Sequence, residues 1–245
     1  MDSALAALAA ALKTPSPWWS SHLLVAQRVL AADTSDSVAD ALNAARGPAI
    51  GNLRFVESSA LPSDEPYEAF IARTGCVPTR DNSHDLFNGL MWLSYPRTKR
   101  RLNALQSEQL ALHGNAGPRG PLRDALTLFD ENAAILQAPA AVSEALRLRD
   151  WKKLFLQQRA HWQSARLVLF GHALLEKLLQ PRKAITAHVW VVEDVTDDAL
   201  AASLDPARLA AKDFLPMPVL GVPGWWAANE APGFYDDDEV FRRPR

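Results

Sequence analysis

Apolar residues recur at intervals of three and four along most of the chain, and this spacing predicts a mostly helical protein. Two helix starts carry clear signals: Asn82 is a favourable N-cap with Asp85 three residues later, and Pro96 stands where a helix tolerates proline. The predicted helices are Met1–Leu12, Ser20–Ala32, Asp36–Ala45, Tyr67–Arg73, Asn82–Tyr95, Pro96–Leu112, Val142–Leu148, Trp151–Trp162, Ala173–Leu179 and Asp197–Ala211.

Short apolar runs between these helices predict a small number of strands. Ala125–Phe129 and Ala133–Gln137 flank the polar residues 130–132 and predict a β-hairpin with its turn there. Because one short helix separates Arg166–Phe170 from Ile185–Val192, these two runs predict a βαβ unit within one sheet. A further strand is predicted at Leu53–Glu57.

The C-terminal segment differs in kind from the rest of the chain. Six of the 17 prolines fall in the last 40 residues, together with Trp225, Trp226 and Phe241. Proline disfavours regular structure, and so much apolar surface is atypical of a disordered tail. We therefore expect residues 213–245 to form an extended strap, with the tryptophan pair as its anchor, packed on a central α+β body of residues 67–212. Residues 1–66 are expected to form the helical N-terminal part of the same domain. The fold class predicted is α+β, a mostly helical single domain around a small mixed sheet.

Composition excludes several classes of protein. The 245 residues are 48% hydrophobic and 22% charged, which is ordinary globular usage. A single cysteine, Cys76, excludes a disulfide scaffold, and no apolar run approaches the ~20 residues that span a bilayer. These features predict a soluble protein of a reducing compartment, with the cytoplasm as its location and no membrane partner.

Charge is unevenly distributed, although the net charge is only −2. Residues 81–183 carry a net charge of +6 and residues 184–245 carry −6. Either the acidic end folds back on the basic middle, or the middle has an anionic partner. Within the basic middle, Arg97, Arg100 and Arg101 lie near a helix start, where cations are unfavourable and an anion would be favoured. They are candidates for binding a phosphate or carboxylate, with a solvated helix face or intramolecular pairing as the alternative.

Several polar motifs together resemble one protein family. These motifs are Asn82–Asn88, Pro96–Lys99, Arg123–Asn132, Phe170–Lys177, Thr186–His188, Pro218–Trp226, Phe234–Asp237 and Val240–Arg242. From about Tyr67 to the C-terminus the chain resembles the proteobacterial family known as Domain of Unknown Function 3025. The resemblance implies a soluble bacterial protein and implies no activity.

Histidines and carboxylates supply the candidate chemistry. A neutral His84 at a helix start could bind a metal or act as a base, or it could simply donate to a backbone carbonyl. Asn88, four residues later, extends a polar stripe that faces either a cleft or solvent. Asp130 lies in the predicted turn, where a purely structural role is the alternative. His172 follows a strand and a glycine, the layout that places side chains at a sheet edge.

Two further residues extend this set. Glu176 lies four residues after His172 and shares its helix face, as an orienting partner or an ordinary ion pair. His188 lies on the strongest predicted strand. The catalytic candidates are therefore His84, Asp130, His172, Glu176 and His188, and the candidate metal ligands are His84, Asp130, His172 and His188.

Two functions from different classes follow. The first is a hydrolytic enzyme whose histidine and carboxylate groups hold a divalent metal and act on a small-molecule or phosphate-bearing substrate. The second is a non-catalytic binding protein that uses the basic middle for an anionic partner such as nucleic acid, although aromatic residues interleaved for base stacking are missing. The sequence contains no Gly-x-Ser-x-Gly, Walker or Gly-x-Gly-x-x-Gly motif, which disfavours serine hydrolases, P-loop NTPases and standard dinucleotide-binding enzymes.

Overall fold

A computed structural model describes residues 4–32, 37–113 and 120–242. The helices are α1 (Ala4–Leu12), α2 (Leu23–Leu30), α3 (Val38–Ala44), α4 (Tyr67–Thr74), α5 (Ser83–Ser94), α6 (Pro96–His113), α7 (Pro121–Asn132), α8 (Ala140–Arg147), α9 (His172–Lys177), α10 (Asp197–Ser203) and α11 (Pro206–Ala210). The strands are β1 (Arg54–Glu57), β2 (Cys76–Thr79), β3 (Ala133–Gln137), β4 (Arg166–Leu169), β5 (Thr186–Val191) and β6 (Leu215–Pro218). Of the predicted elements, Asp36, residues 1–3 and residues 243–245 lie outside the described residues. Among the described helices, none is both long and apolar enough to cross a membrane.

The strands form two small sheets inside a mainly helical protein. β1 and β2 pair in parallel, and the larger sheet has the order β4-β3-β5-β6. In that sheet β3 is parallel to β5 and antiparallel to β4, and β6 runs antiparallel to β5. The predicted α+β class with a small mixed sheet is confirmed.

The larger sheet separates two apolar cores. Along β3, Ala134 and Leu136 point into one core, whereas Ala133 and Ile135 point into the other. All four side chains are fully buried, which explains why β3 is apolar throughout and lacks the alternation of a half-exposed strand.

The predicted hairpin around residues 130–132 is wrong. Residues 121–132 form helix α7, and β3 begins at the next residue. Ala125, Leu126 and Phe129 lie on one helical face and are completely buried, so their spacing belongs to a helix rather than a strand. Pro121 at the first helical position supplies the start signal. Asp130 therefore lies in the last turn of a helix.

The two strands of the predicted βαβ unit lie in one sheet as expected, but the predicted parallel crossover between them is wrong. Ala134 of β3 pairs with Leu169 of β4 on one side and with Val189 of β5 on the other. β3 therefore lies between the two strands, which run in opposite directions, and the rule for parallel crossovers does not apply to them.

Two predicted single helices are interrupted. The predicted helix Asp197–Ala211 is two helices, because Asp205 caps a new start by accepting a hydrogen bond from the Arg208 backbone N–H, and Pro206 follows it. The predicted helix Trp151–Trp162 continues as a π-helical turn at Lys153–Gln157 and a 3₁₀ turn at Arg159–Gln163.

The C-terminal segment packs on the apolar core into which Ala134 and Leu136 point. Its first part forms β6, and further along Tyr235 and Phe241 are buried against Phe155 with ring centroids 5.4 and 6.1 Å away. Trp225 and Trp226 are only partly buried. The anchoring aromatic residues are thus Tyr235 and Phe241, rather than the predicted tryptophan pair.

Candidate functional site

Polar side chains from three helices meet at one end of the larger sheet. His84 lies in the first turn of α5, Glu131 in the last turn of α7, and His172 is the first residue of α9. These residues line a cavity of about 390 Å³, which Tyr67 and Asn88 also line. α7 ends where β3 begins and α9 starts where β4 ends, so the antiparallel pairing of β3 and β4 brings the two helix ends together.

A close backbone approach at Gly171 makes this meeting possible. A Cβ atom at Gly171 would lie 2.5 Å from backbone atoms of Glu131 and Asn132, which is closer than any side chain allows. The Gly171 N–H donates to the Ala133 carbonyl at 2.8 Å. Glycine therefore lets the start of α9 lie directly against the end of α7, and His172 is delivered to Asp130.

The two imidazoles face each other, and each is oriented by an acceptor on its far side. The Nδ1 of His172 donates to the backbone carbonyl of Asp130 at 2.8 Å, and the Nδ1 of His84 donates to the Glu176 carboxylate at 3.1 Å. A carbonyl or an ionised carboxylate can only accept, so the proton of each neutral ring lies on Nδ1. Both Nε2 atoms then carry lone pairs, and they lie 3.1 Å apart.

Two lone pairs at that distance repel each other unless a proton or a metal cation lies between them. Zinc bonds imidazole at about 2.0–2.1 Å, and tetrahedral angles then place two ligand nitrogens about 3.3 Å apart. The Glu131 carboxylate lies 3.5 Å from the Nε2 of His172 and 3.9 Å from the Nε2 of His84. One ligand atom from each of these three residues fits within 4.8 Å of the others. This set can hold a divalent cation.

Burial shapes the charge of this cluster. It lowers the pKa of His172 to about 4, so its ring is neutral at physiological pH. It also raises the pKa of Glu131, which the neighbouring His84 opposes. For Asp130, burial alone would raise the pKa, but the charge and hydrogen bond of the Lys99 ammonium group hold the pKa below its ordinary value. Asp130 is therefore the fixed negative charge of the site.

A buried lysine adjoins the cluster. The Nζ of Lys99 contacts Asp130 Oδ1 at 2.5 Å and donates to Asn88 Oδ1 at 2.7 Å. The Nδ2 of Asn88 donates in turn to the Tyr67 hydroxyl at 3.0 Å. Neither Lys99 nor Tyr67 is among the site residues predicted from the sequence. A signal for Lys99 exists, because it lies one helical turn from the buried Leu102 on the same face of α6.

A family model with the description "Protein of unknown function (DUF3025)" matches residues 53–245. The chain belongs to this family. The resemblance seen in the sequence is thus confirmed, and the match begins earlier, at residue 53. The match includes the imidazole cluster, formed by His84, Glu131 and His172, and the neighbouring lysine cluster, formed by Lys99, Asp130, Asn88 and Tyr67. No curated protein and no solved structure matches this DUF3025 chain.

The predicted site residues do not all meet. His84, Asp130, His172 and Glu176 come together, but Glu176 accepts from His84 rather than orienting His172. Asp130 faces Lys99 instead of the two Nε2 atoms. Glu131, which lies in the hairpin turn predicted from the sequence, takes the place of Asp130 among the possible ligands.

His188 lies elsewhere. It lies on β5, and its ring contacts the Phe214 ring with centroids 6.1 Å apart. Its Nδ1 accepts a hydrogen bond from Asn132 Nδ2 at 2.9 Å. Burial lowers its pKa. A structural role as a hydrogen-bond acceptor accounts for these contacts.

The basic run makes contacts within the chain. Arg97 pairs with Asp198 at the start of α10, and Arg100 donates to the backbone carbonyls of Ala49 and Ile50. Arg97 and Arg100 therefore contact different elements. An anion site at Arg97, Arg100 and Arg101 stays a prediction.

Proposed function

We propose that this protein is a hydrolase that depends on a divalent metal, held by His84, His172 and Glu131. The observation that carries the proposal is the facing pair of Nε2 atoms at 3.1 Å, each left with a lone pair by a hydrogen bond at Nδ1. An imidazole whose far nitrogen donates to a carboxylate or a carbonyl is the arrangement that metal-binding histidines adopt.

The ligand set favours catalysis over a purely structural metal. Two imidazoles and one carboxylate leave a coordination position open, whereas structural zinc sites have four protein ligands. The three residues line a cavity of about 390 Å³, which leaves room beside them for water or a substrate. A water bound to the metal there would become a nucleophile near neutral pH, which is the chemistry of metal-dependent hydrolysis.

Protonation of His84 is the alternative that removes the repulsion without a metal. Its Nε2–H would then donate to His172, and the half-exposed ring would lie beside the carboxylates of Glu131 and Glu176. The two explanations differ in one measurable property, the affinity of the protein for a divalent ion.

The test is a metal titration of the full-length chain after treatment with a chelator. We expect one equivalent of Co²⁺ or Zn²⁺ to bind, and the cobalt complex to show the absorption of a four- or five-coordinate site. His172→Gln and His84→Gln should each lower the affinity at least about 100-fold. The matched control is His188→Gln, which changes a half-buried histidine outside the cluster and should keep the affinity within about twofold.

Activity is read in the same preparations. Hydrolysis of small chromogenic esters should disappear with the chelator and return with the metal. A wild-type chain that binds no metal at micromolar concentrations, or a His172→Gln variant with unchanged affinity, would refute the proposal.

A further inference from the structure

The lysine beside the imidazole cluster begins a directed chain of hydrogen bonds. Lys99 is buried, with 4% of its side chain exposed, and an ammonium group can only donate. The amide oxygen of Asn88 must therefore face Lys99, at 2.7 Å. This leaves the Asn88 NH₂ group facing Tyr67, whose hydroxyl oxygen accepts at 3.0 Å.

The direction of this chain determines where the phenolic proton points. Because the Tyr67 oxygen accepts from Asn88, its own hydrogen points away from that residue. Tyr67 lines the cavity that His84, Glu131 and His172 also line. Burial, reinforced by Asp130, raises the pKa of Tyr67 far above its usual range, so the group remains a donor. A cation at the far end polarises each bond of the chain and strengthens the last donor.

The charges around the cavity limit which ligand fits. Four of the residues that line it are acidic: Glu68, Asp85, Asp130 and Glu131. Two cations beside the cavity are already paired, Arg80 with Asp85 at 2.8 Å and Lys99 with Asp130 at 2.5 Å. A phosphate group would enter a cavity rich in acidic residues, where Arg80 and Lys99 are already paired and the proposed metal would be the cation left to attract it. An uncharged ligand avoids this repulsion.

We propose that Tyr67 is a catalytic hydrogen-bond donor and that the substrate is an uncharged ester or amide, whose carbonyl oxygen accepts from the Tyr67 hydroxyl. Asn88 and Lys99 are positioning residues that act through Tyr67. This inference rests on the proposed metal-dependent hydrolysis and adds the substrate class and the group that stabilises the oxyanion.

The step balances with water as the only co-reactant. The oxygen of water bonds to the carbonyl carbon, and an electron pair moves onto the carbonyl oxygen, which becomes the anion that Tyr67 stabilises. The pair returns as the bond from that carbon to the leaving oxygen or nitrogen breaks. The leaving group takes one proton of the water, and the products are a carboxylic acid and an alcohol or amine.

The test uses the cobalt-loaded full-length protein and two probes, acetohydroxamate and inorganic phosphate, followed by the absorption of the metal. Acetohydroxamate should bind at least about tenfold more tightly than phosphate. Tyr67→Phe should weaken acetohydroxamate about fivefold to tenfold, the usual loss for one hydrogen bond, and keep the cobalt affinity within about twofold. Tyr95→Phe, on a different cavity, is the matched control and should change neither.

A second variant tests the direction of the chain. In Asn88→Asp both side-chain oxygens accept, so the Tyr67 proton turns towards residue 88 and away from the ligand. Acetohydroxamate should then bind as weakly as in Tyr67→Phe, although the tyrosine is still present.

The outcomes are separable. Unchanged acetohydroxamate affinity in Tyr67→Phe, or tighter binding of phosphate than of acetohydroxamate, overturns this inference and leaves the metal site standing. A wild-type chain that binds no cobalt overturns the metal site and this inference together, and the cobalt titration alone reveals it.

Discussion

The buried ion pair between Lys99 and Asp130 provides a sharp test of how the site is stabilised. The Lys99 side chain is 4% exposed and that of Asp130 is 29% exposed, with 2.5 Å between Nζ and Oδ1. Asp130→Asn leaves an ammonium group buried with only neutral acceptors. Lys99→Met leaves a carboxylate that water still reaches. The two variants therefore break the same contact with different consequences.

The expected magnitudes follow from that asymmetry. Removing one partner of a buried pair costs about 3–5 kcal/mol, because the other charge stays uncompensated. An ordinary lysine can lose its proton at pH 7 for about 4.6 kcal/mol, which bounds the penalty in Asp130→Asn. We expect about 4 kcal/mol for Asp130→Asn and roughly half of that for Lys99→Met, since partial hydration of Asp130 offsets part of its loss.

Urea denaturation at pH 7 measures both values. The control is Arg73→Met, which breaks an ion pair of similar length, 2.6 Å to Glu65, in which the Arg73 side chain is 60% exposed. Solvent screens that pair, so the midpoint should scarcely move. If Asp130→Asn destabilises no more than Arg73→Met, or less than Lys99→Met, the burial argument fails.

Two further predictions concern backbone contact and pH. Gly171→Ala should lower the free energy of unfolding by about 3 kcal/mol and weaken cobalt binding, because its Cβ would meet the Asn132 backbone at 2.5 Å. Gly120→Ala, where nothing lies within 4 Å of the added Cβ, should lower it by less than about 1 kcal/mol. Equal urea midpoints for the two variants would contradict this expectation. His22 is fully buried and donates to the Leu169 carbonyl at 2.7 Å, and burial lowers its pKa to about 4. As the pH falls below about 6.5, His22 therefore takes up a proton in the unfolded chain before it does so in the folded chain. The wild-type chain should therefore lose about 2 kcal/mol more than His22→Gln between pH 7.5 and pH 5, and parallel stability curves would show that this histidine does not titrate as argued.

Elements with local signals were predictable from the sequence. The start of α5 is an example, because Asn82 accepts from the Asp85 backbone N–H as the capping pattern indicates. The start of α6 at Pro96 is another. In both, the decisive interaction lies within a few residues of the chain.

The end of α7 was not predictable in the same way. A short apolar run such as 125–129 has the same composition in a buried helix and in a strand, and only its packing distinguishes the two. The polar residues 130–132 resemble a turn, yet the helix continues through them. The error displaced Glu131 from the candidate ligands, because a turn residue and a residue in the last helical turn point in different directions.

For the site, the sequence identified the residue types but not their partners. His84 and His172 are 88 positions apart and meet because α5 packs against α9, whereas the order β4-β3-β5 places β3 between the strand before His172 and the strand that carries His188. That order depends on long-range pairing, which leaves no mark on the residues nearby. Lys99 carried a local signal, a charge on an apolar helix face, and its partner Asp130 could not be inferred from it.

Helix α5 connects the two halves of the site. His84 and Asn88 are four residues apart, so they share one face, and the sequence left open whether this polar stripe faces a cleft or solvent. In the structure the stripe lines the cavity, with His84 towards His172 and Asn88 towards Tyr67. Asp130, on α7, also contacts both halves of the site, because its backbone carbonyl accepts from His172 and its carboxylate pairs with Lys99. A shift of α5 relative to α7 would therefore disturb the two facing nitrogens and the Tyr67 donor together, which ties the proposed metal and the proposed oxyanion donor to one rigid contact.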